Sequence, residues 1–302
     1  MMQKKFVIYV LFLSILMPFS AFSAARVVVI PLGSGLAFEP YAPLAASSPS
    51  VDNYTVTTLS VTDNTTGLIW EKNASTITMS QESAWSYCQS RTTGGWHTWR
   101  LPSIDELQSL LYVATYAPAI NSFIFPGTLP EGHWSATTFA GDVDRAWYLH
   151  FNSGGIYHND KTTFHRARCV RGQAALHNKV KDNGNGTVFD LSTGLTWQEQ
   201  DDGNKRHHSD ADTYCQELVL GGKSDWRLPY IKELQSIVDY RTSSPAIDLL
   251  SFPATQSGRY WSSDDDSHWP LYTWIVDFDT GAVWSSESTN ASYAKQYVRC
   301  VR

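Results

Sequence analysis

After its first two dozen residues the sequence holds no apolar run near the ~20 residues a membrane-spanning helix needs, so no transmembrane segment is expected in the mature chain. It has no basic stripe either. The formal charge is −6, with nine acids against eight bases in residues 55–172 and eighteen against twelve in 173–302. Nucleic acid is therefore not an expected partner. No H-E-x-x-H, G-x-S-x-G or P-loop pattern occurs, which removes the commonest metalloprotease, serine hydrolase and nucleotide-binding signatures. There are four cysteines, none in a Cys-x-x-Cys pair and none with a histidine at ligand spacing, so neither a dithiol redox centre nor a zinc site is indicated.

What is present begins with a leader. Met1-Met2-Gln3-Lys4-Lys5 precedes an apolar stretch from Phe6 to Met17, then Pro18 and the small residues Ala21, Ser23, Ala24 and Ala25. A basic start, a short apolar centre and small residues at the end describe a secretory signal peptide over residues 1–24. No cysteine lies near the expected cleavage site, so lipid anchoring is not expected. Export to the periplasm, cell surface or medium is. Residues 25–54, with Pro31, Pro40, Pro43 and Pro49, read as an extended linker.

The rest of the chain is one domain written twice. Trp99-Arg100-Leu101-Pro102 returns as Trp226-Arg227-Leu228-Pro229, an offset of 127 residues. The same offset pairs Asp63, Gly67 and Trp70 with Asp190, Gly194 and Trp197, and Cys88 with Cys215. It also pairs Trp134, Trp147 and Gly154 with Trp261, Trp274 and Gly281. It grows to 131 only at the end, where Arg168-Cys169-Val170-Arg171 meets Arg299-Cys300-Val301-Arg302. So long a period is not a solenoid repeat but a tandem duplication of a whole domain, over residues 55–172 and 182–302 with a linker at 173–181.

Each copy reads as α+β: an opening strand, two helices, then several strands. The first helix is expected at about 81–91 and 209–218, with Ser209 and Asp212 marking the second start. Trp-Arg-Leu-Pro launches the next helix. Apolar spacing at Leu107, Leu110 and Leu111, and at Leu234, Ile237 and Val238, carries that helix to about Asp239 in the second copy. Ser103 and Glu106 have capping-box spacing. Residues 272–278 and 282–286 flank Asp279-Thr280-Gly281 as a hairpin.

Two cysteines per copy, one on the first helix and one three residues from the end, read as one disulfide per domain: Cys88–Cys169 and Cys215–Cys300. Closing a loop of roughly 80 residues contributes about 4.5 kcal/mol in the idealised chain-entropy picture. The matched tryptophans, Trp99 and Trp226 among them, are assigned to the core, whereas Trp96, Trp269 and Trp284 have no counterparts and are candidates for exposure. Arg100 and Arg227 are assigned internal pairs with Glu106 and Glu233, and Arg168 and Arg299 similar buried roles. Asp182-Asn183-Gly184-Asn185-Gly186 resembles a calcium loop at a glance, but it lacks the third ligand and the closing Glu, and reads as a hairpin turn. Asp264-Asp265-Asp266 with His268 and Trp269 lies between two strands of the second copy only. It is the candidate ligand-binding loop, with calcium as the cation it could hold, against the plainer reading of a solvated acidic loop.

Several of these motifs together resemble a known bacterial domain family. They are Asp182–Val188, Thr193-Gly194-Leu195-Thr196-Trp197, Gly221-Gly222 ahead of Trp226-Arg227-Leu228-Pro229, Glu233-Leu234-Gln235-Ser236, Tyr260-Trp261-Ser262-Ser263 and the terminal Val298–Arg302. The family is named after the C-terminal domain of the Legionella collagen-like adhesin. The resemblance covers nearly all of 182–302 and, more loosely, 61–171, where Tyr260 is replaced by His133 and the Gly-rich turn by Thr57-Thr58-Leu59-Ser60. It implies two tandem C-type-lectin-like domains, each with two helices, a small twisted antiparallel sheet and a disulfide from first helix to last strand. It also implies an exported, non-catalytic binding or adhesion module recognising a glycan or an envelope or host protein. The sulfated glycosaminoglycan bound by that adhesin is not carried over, because this chain is acidic and has no collagen repeat. Two alternatives stand beside this reading. One is an oxidase like the formylglycine-generating enzymes of related fold, which use a pair of cysteines. The other is a structural spacer in which duplication supplies avidity.

Overall fold

The computed structural model describes residues 53–173, 180–288 and 294–302. The expected signal peptide, nearly all of the 25–54 linker and most of the 173–181 linker lie outside the described residues. Both repeats belong to one compact unit.

The first repeat runs β1 (Tyr54–Val56), β2 (Ser60–Asp63), β3 (Ile69–Glu71), α1 (Gln81–Gln89), α2 (Ile104–Ser109), β4 (Gly132–Thr138), β5 (Arg145–His150), β6 (Gly155–Asp160) and β7 (Val170–Arg171). The second runs β8 (Val180–Asp182), β9 (Thr187–Asp190), β10 (Thr196–Gln198), α3 (His208–Glu217), α4 (Ile231–Ser236), β11 (Arg259–Asp265), β12 (Tyr272–Asp277) and β13 (Ala282–Glu287). The architecture is α+β with antiparallel strand pairing. Strands β1 and β8 start at Tyr54 and Val180, so each domain begins slightly earlier than its linker was expected to end.

Local chemistry accounts for the shared elements. Asp63 and Asp190 turn the chain after β2 and β9: Asp63 Oδ1 accepts from the Thr65 N–H at 2.9 Å, and Asp190 Oδ1 from the Ser192 N–H at 2.8 Å. In α1, Ala84 and Cys88 sit one turn apart on the buried face, and the Ser80 hydroxyl caps the start. Helix α3 departs from expectation. It starts at His208, without a side-chain cap from His207, so Ser209 lies inside the helix rather than at its cap. Tertiary contact fixes this start instead, since His208 Nε2 lies 2.9 Å from the Ser262 carbonyl on β11.

Trp-Arg-Leu-Pro occupies the crossing between sheet and helix. Arg100 exchanges backbone hydrogen bonds with Val170 at 2.9 Å, Arg227 does the same with Val301, and proline ends the strand. The Ser103–Glu106 capping box forms. Helices α2 and α4 each last six residues, shorter than the apolar spacing predicts. Leu111 and Val238 then donate to the carbonyls three residues back, Gln108 and Gln235, and Tyr112 and Asp239 pair with Ala119 and Ala246. The apolar face stays buried through this tighter turn.

The sheets differ most from expectation. Rather than one small sheet per domain, β4–β5–β6 and β11–β12–β13 join into a single six-stranded sheet in the order β11-β12-β13-β6-β5-β4. The junction is antiparallel, with Val283 opposite Ile156, residues that the 127-residue offset makes equivalent. A local two-fold axis therefore passes between the two copies. Both residues are fully buried, and each such side chain contributes about 1.5–3 kcal/mol. Around the junction Trp274 packs toward Gly154, where a Cβ would stand 3.4 Å from its ring and 2.9 Å from Leu111. Trp147 meets Tyr240 edge to face at 5.1 Å, and Tyr240 donates to Gln108 Oε1 at 3.3 Å. The result is one apolar core shared by both copies.

Candidate functional site

Both bridges form as expected, Cys88–Cys169 and Cys215–Cys300, each tying a first helix to the end of its repeat. All four cysteines of the chain are used in them, which leaves no thiol pair for oxidase chemistry of the formylglycine-generating type. The eight tryptophans at matched positions are at most 3 % exposed, whereas Trp96 and Trp269 are about half exposed, at 52 % and 54 %. Arg100 and Arg227 form bidentate pairs with Glu106 (2.6 and 2.5 Å) and Glu233 (2.7 and 2.7 Å). These pairs lock the start of α2 and α4 to the preceding strand, a structural role.

The acidic run was expected between two strands, but Asp264 and Asp265 end β11, and only Asp266, His268 and Trp269 lie in the loop to β12. The run thus divides into an inner and an outer part. Asp264 faces inward: its Oδ2 accepts the Ile231 N–H at 2.5 Å and so caps α4 from the neighbouring strand. Burial, with Glu233 and Asp265 nearby, pushes its carboxyl above the ordinary range despite that hydrogen bond. Thr137 does the same in the first repeat, accepting from the Ile104 N–H at 3.0 Å. Asp265 accepts from the Thr273 hydroxyl at 3.1 Å. Asp266 turns the loop by accepting the His268 N–H at 2.9 Å. Among the described residues no group of three or more His, Cys, Asp or Glu converges as a metal site, so these acids do not share one cation position.

The outer part reaches across the repeat boundary. His268 stacks on Tyr116 of the first repeat with ring centroids 3.6 Å apart and planes within 1°. The Ser267 hydroxyl donates to the Val113 carbonyl at 3.4 Å. Trp269 stands edge-on to His268 at 5.0 Å and, with Leu271 and Tyr272, faces solvent. The matching loop of the first repeat behaves oppositely. There Phe139 folds in, 9 % exposed, stacked on His158 at 3.9 Å and edge-on to Trp147.

A second feature was not singled out by sequence reasoning beyond its turn. Between the β8–β9 turn and residues 221–226 lies a cleft of about 100 Å³ lined by Asn183, Asn185, Thr196, Lys223, Trp226 and Arg302, among others. The turn is one residue longer than in the first repeat: Asp182 is opposite Val188, whereas Val56 is opposite Val61. The signal that could have found the cleft is the loss of Trp96 and Ile69, replaced by Lys223 and Thr196.

The Lcl C-terminal domain model matches the chain twice, at residues 59–171 and 186–302. No curated protein matches it. The two matches coincide with the two copies joined at β6 and β13, each with its own helix-to-terminus disulfide and its own Arg–Glu lock. This chain belongs to the Lcl C-terminal domain family, as a tandem pair.

Proposed function

We propose that this protein is an exported, non-catalytic binding module of adhesin type, built on a C-type-lectin-like scaffold, that recognises a glycan or protein ligand through the β11–β12 loop of its second repeat. The observation that carries the reading is the outward set Trp269, Leu271 and Tyr272 on a loop braced by the His268–Tyr116 stack. An exposed indole on a held loop presents a large apolar face at little ordering cost, the usual make-up of a contact anchor. Asp265 and Asp266 flank it and supply acceptors for ligand hydroxyl or amide groups. The inward-turned Phe139 argues that the first repeat serves as the brace. Two disulfides, and no helix among the described residues long and apolar enough to cross a membrane, fit an exported chain. The lectin-like assignment is supported by the order of two helices followed by antiparallel strands and by the disulfide from first helix to chain end.

The test is a glycan array, together with capture of bacterial-envelope and host-surface proteins, using the mature chain. Trp269→Ala is expected to weaken the bound ligand at least about tenfold, roughly 1.4 kcal/mol, with an unchanged melting temperature. Binding that persists undiminished in Trp269→Ala, or no binding to any glycan or surface protein, would sink the reading.

A further inference from the structure

The two repeats treat the space beside their Gly-Gly turn in opposite ways. In the first, Trp96 follows Gly94-Gly95, and the Arg171 guanidinium lies 3.7 Å from the centroid of its ring. In the second, Lys223 stands at the position of Trp96, and Arg302, the counterpart of Arg171, turns to Asp225 at 2.8 and 3.0 Å. A cleft lies beside the Gly-Gly turn of the second copy, where Lys223 stands in place of the indole.

Its lining is rich in donors. The Thr187 hydroxyl accepts from Asn183 Nδ2 at 2.9 Å and donates to Asn185 Oδ1 at 2.7 Å. That chain fixes the Asn185 amide with its oxygen on Thr187, which leaves its nitrogen free to donate. Gly221, at φ +61°, lies against this nitrogen: a Cβ there would stand 3.1 Å from Asn185 Nδ2 and 3.0 Å from Thr187. The turn is thus held open by a residue without a side chain. The Lys223 ammonium and the Thr196 hydroxyl add a cation and a further donor, and Arg302 adds positive charge that Asp225 offsets in part.

Donors on several sides, with the Lys223 cation beside an Arg302–Asp225 pair, suit an oxyanion. At about 100 Å³ the cleft is smaller than the roughly 150 Å³ cavity that takes a benzene ring, a fit for a carboxylate group but not for a whole sugar ring. We propose that the cleft of the second repeat binds the carboxylate of a ligand, with Lys223 as its counter-ion and Asn185 as its hydrogen-bond donor. The site is separate from the Trp269 loop and does not depend on it.

The experiment follows the Asn185 side-chain amide and the Trp226 indole N–H by NMR in the full chain, during titration with acetate, glucuronate, N-acetylalanine, glucose and sulfate. Saturable shifts are expected with the three carboxylates and none with glucose. Whichever of glucuronate and N-acetylalanine binds more tightly than acetate identifies the carrier as sugar or peptide. Lys223→Gln is expected to weaken carboxylate binding about tenfold or more, the loss of a charged hydrogen bond. Lys223→Trp, which restores the residue the first repeat carries in the same turn, is expected to abolish the response with the melting temperature unchanged. The proposal is overturned if glucose or sulfate shifts these signals as strongly as acetate, if Lys223→Trp leaves the response intact, or if no carboxylate saturates. Trp269→Ala should leave these titrations unaltered, so failure here is distinguishable from failure of the loop.

Discussion

Arg168 and Arg299 occupy the same place in the two repeats, both fully buried, each with its guanidinium 5.0 Å from the ring of Phe125 or Phe252. Each donates to two backbone carbonyls and a threonine: Glu71, Lys72 and Thr128 for Arg168, and Gln198, Glu199 and Thr255 for Arg299. The difference lies in what neutralises them. Arg299 meets Asp201 at 3.1 Å, and Asp201 also accepts from Tyr260 at 2.5 Å. In the first repeat the matching residues are Ala74 and His133, so Arg168 has no such carboxylate. Burial brings its guanidinium down to about 10, with Glu71 opposing. His133 completes the contrast. Its Nδ1 faces the Glu131 carbonyl at 3.0 Å, its Nε2 has no hydrogen-bond partner among the described residues, and burial with Arg168 nearby pushes it down to about 3. One fold thus tolerates two solutions, a charged pair with a tyrosine clamp and a cation with no directly bonded carboxylate beside an imidazole held below its ordinary range.

The largest effect expected from this contrast is on the buried cations themselves. Arg299→Met strands Asp201 in the interior and should cost about 3–5 kcal/mol. Arg168→Met leaves only carbonyls and a hydroxyl unmet, about 1–3 kcal/mol. Urea melts of both variants check this, and equal losses would mean that Asp201 does not set the difference.

Next comes pH. An unfolded histidine takes up a proton near 6.5 and buried His133 only near 3, so between these values the unfolded chain binds more protons and stability falls as pH drops. From pH 7 to 4.5 the expected loss is about 2–3 kcal/mol from this residue. His165, brought down to about 4 mainly by burial, acts in the same direction. His133→Phe should flatten the profile over that range, read by hydrogen exchange in β4 against β11. An unchanged profile in the variant, or β11 opening before β4, contradicts the assignment.

The smallest effect concerns the brace. Tyr116→Ala removes the partner of His268 and should cost about 0.5–1.5 kcal/mol. Faster hydrogen exchange is expected at residues 266–272, and at the β5–β6 turn where Asn152 Nδ2 donates to the Tyr116 hydroxyl at 2.8 Å, with β4 unaffected. Unaltered exchange in the loop would show that the stack does not hold it.

What was legible in the sequence was what depends on spacing and on the duplication. The Ser103 capping box, the Arg–Glu locks six residues apart, both disulfides and the buried matched tryptophans all follow from local pattern or from being written twice. The six-stranded sheet was not legible. Nothing in the alternation of Gly155–Asp160 or Ala282–Glu287 says that their partner is each other rather than a strand of their own domain. The start of α3 was misread because His208 is fixed by a carbonyl 54 positions away, not by its sequence neighbours. Asp264 looked like one of three equivalent acids, yet it caps a helix from a neighbouring strand. Thr137 at its counterpart was the available clue, since Thr and Asp share little except the ability to cap. The cleft left its trace only as a difference between copies, a tryptophan exchanged for a lysine.

The pairing of Ile156 with Val283 also sets a limit on copy number. Each repeat spends the free flank of its β6 or β13 on its twin, and the outer edge strands β4 and β11 meet residues of their own repeat, His133 with Arg166 and Tyr260 with Tyr297. Among the described residues, both outer edges of that sheet are thus met by their own repeat, which leaves no open edge strand for a third copy to join. Two repeats therefore complete the arrangement, and a longer array of this domain would have to be assembled from pairs, not lengthened one repeat at a time.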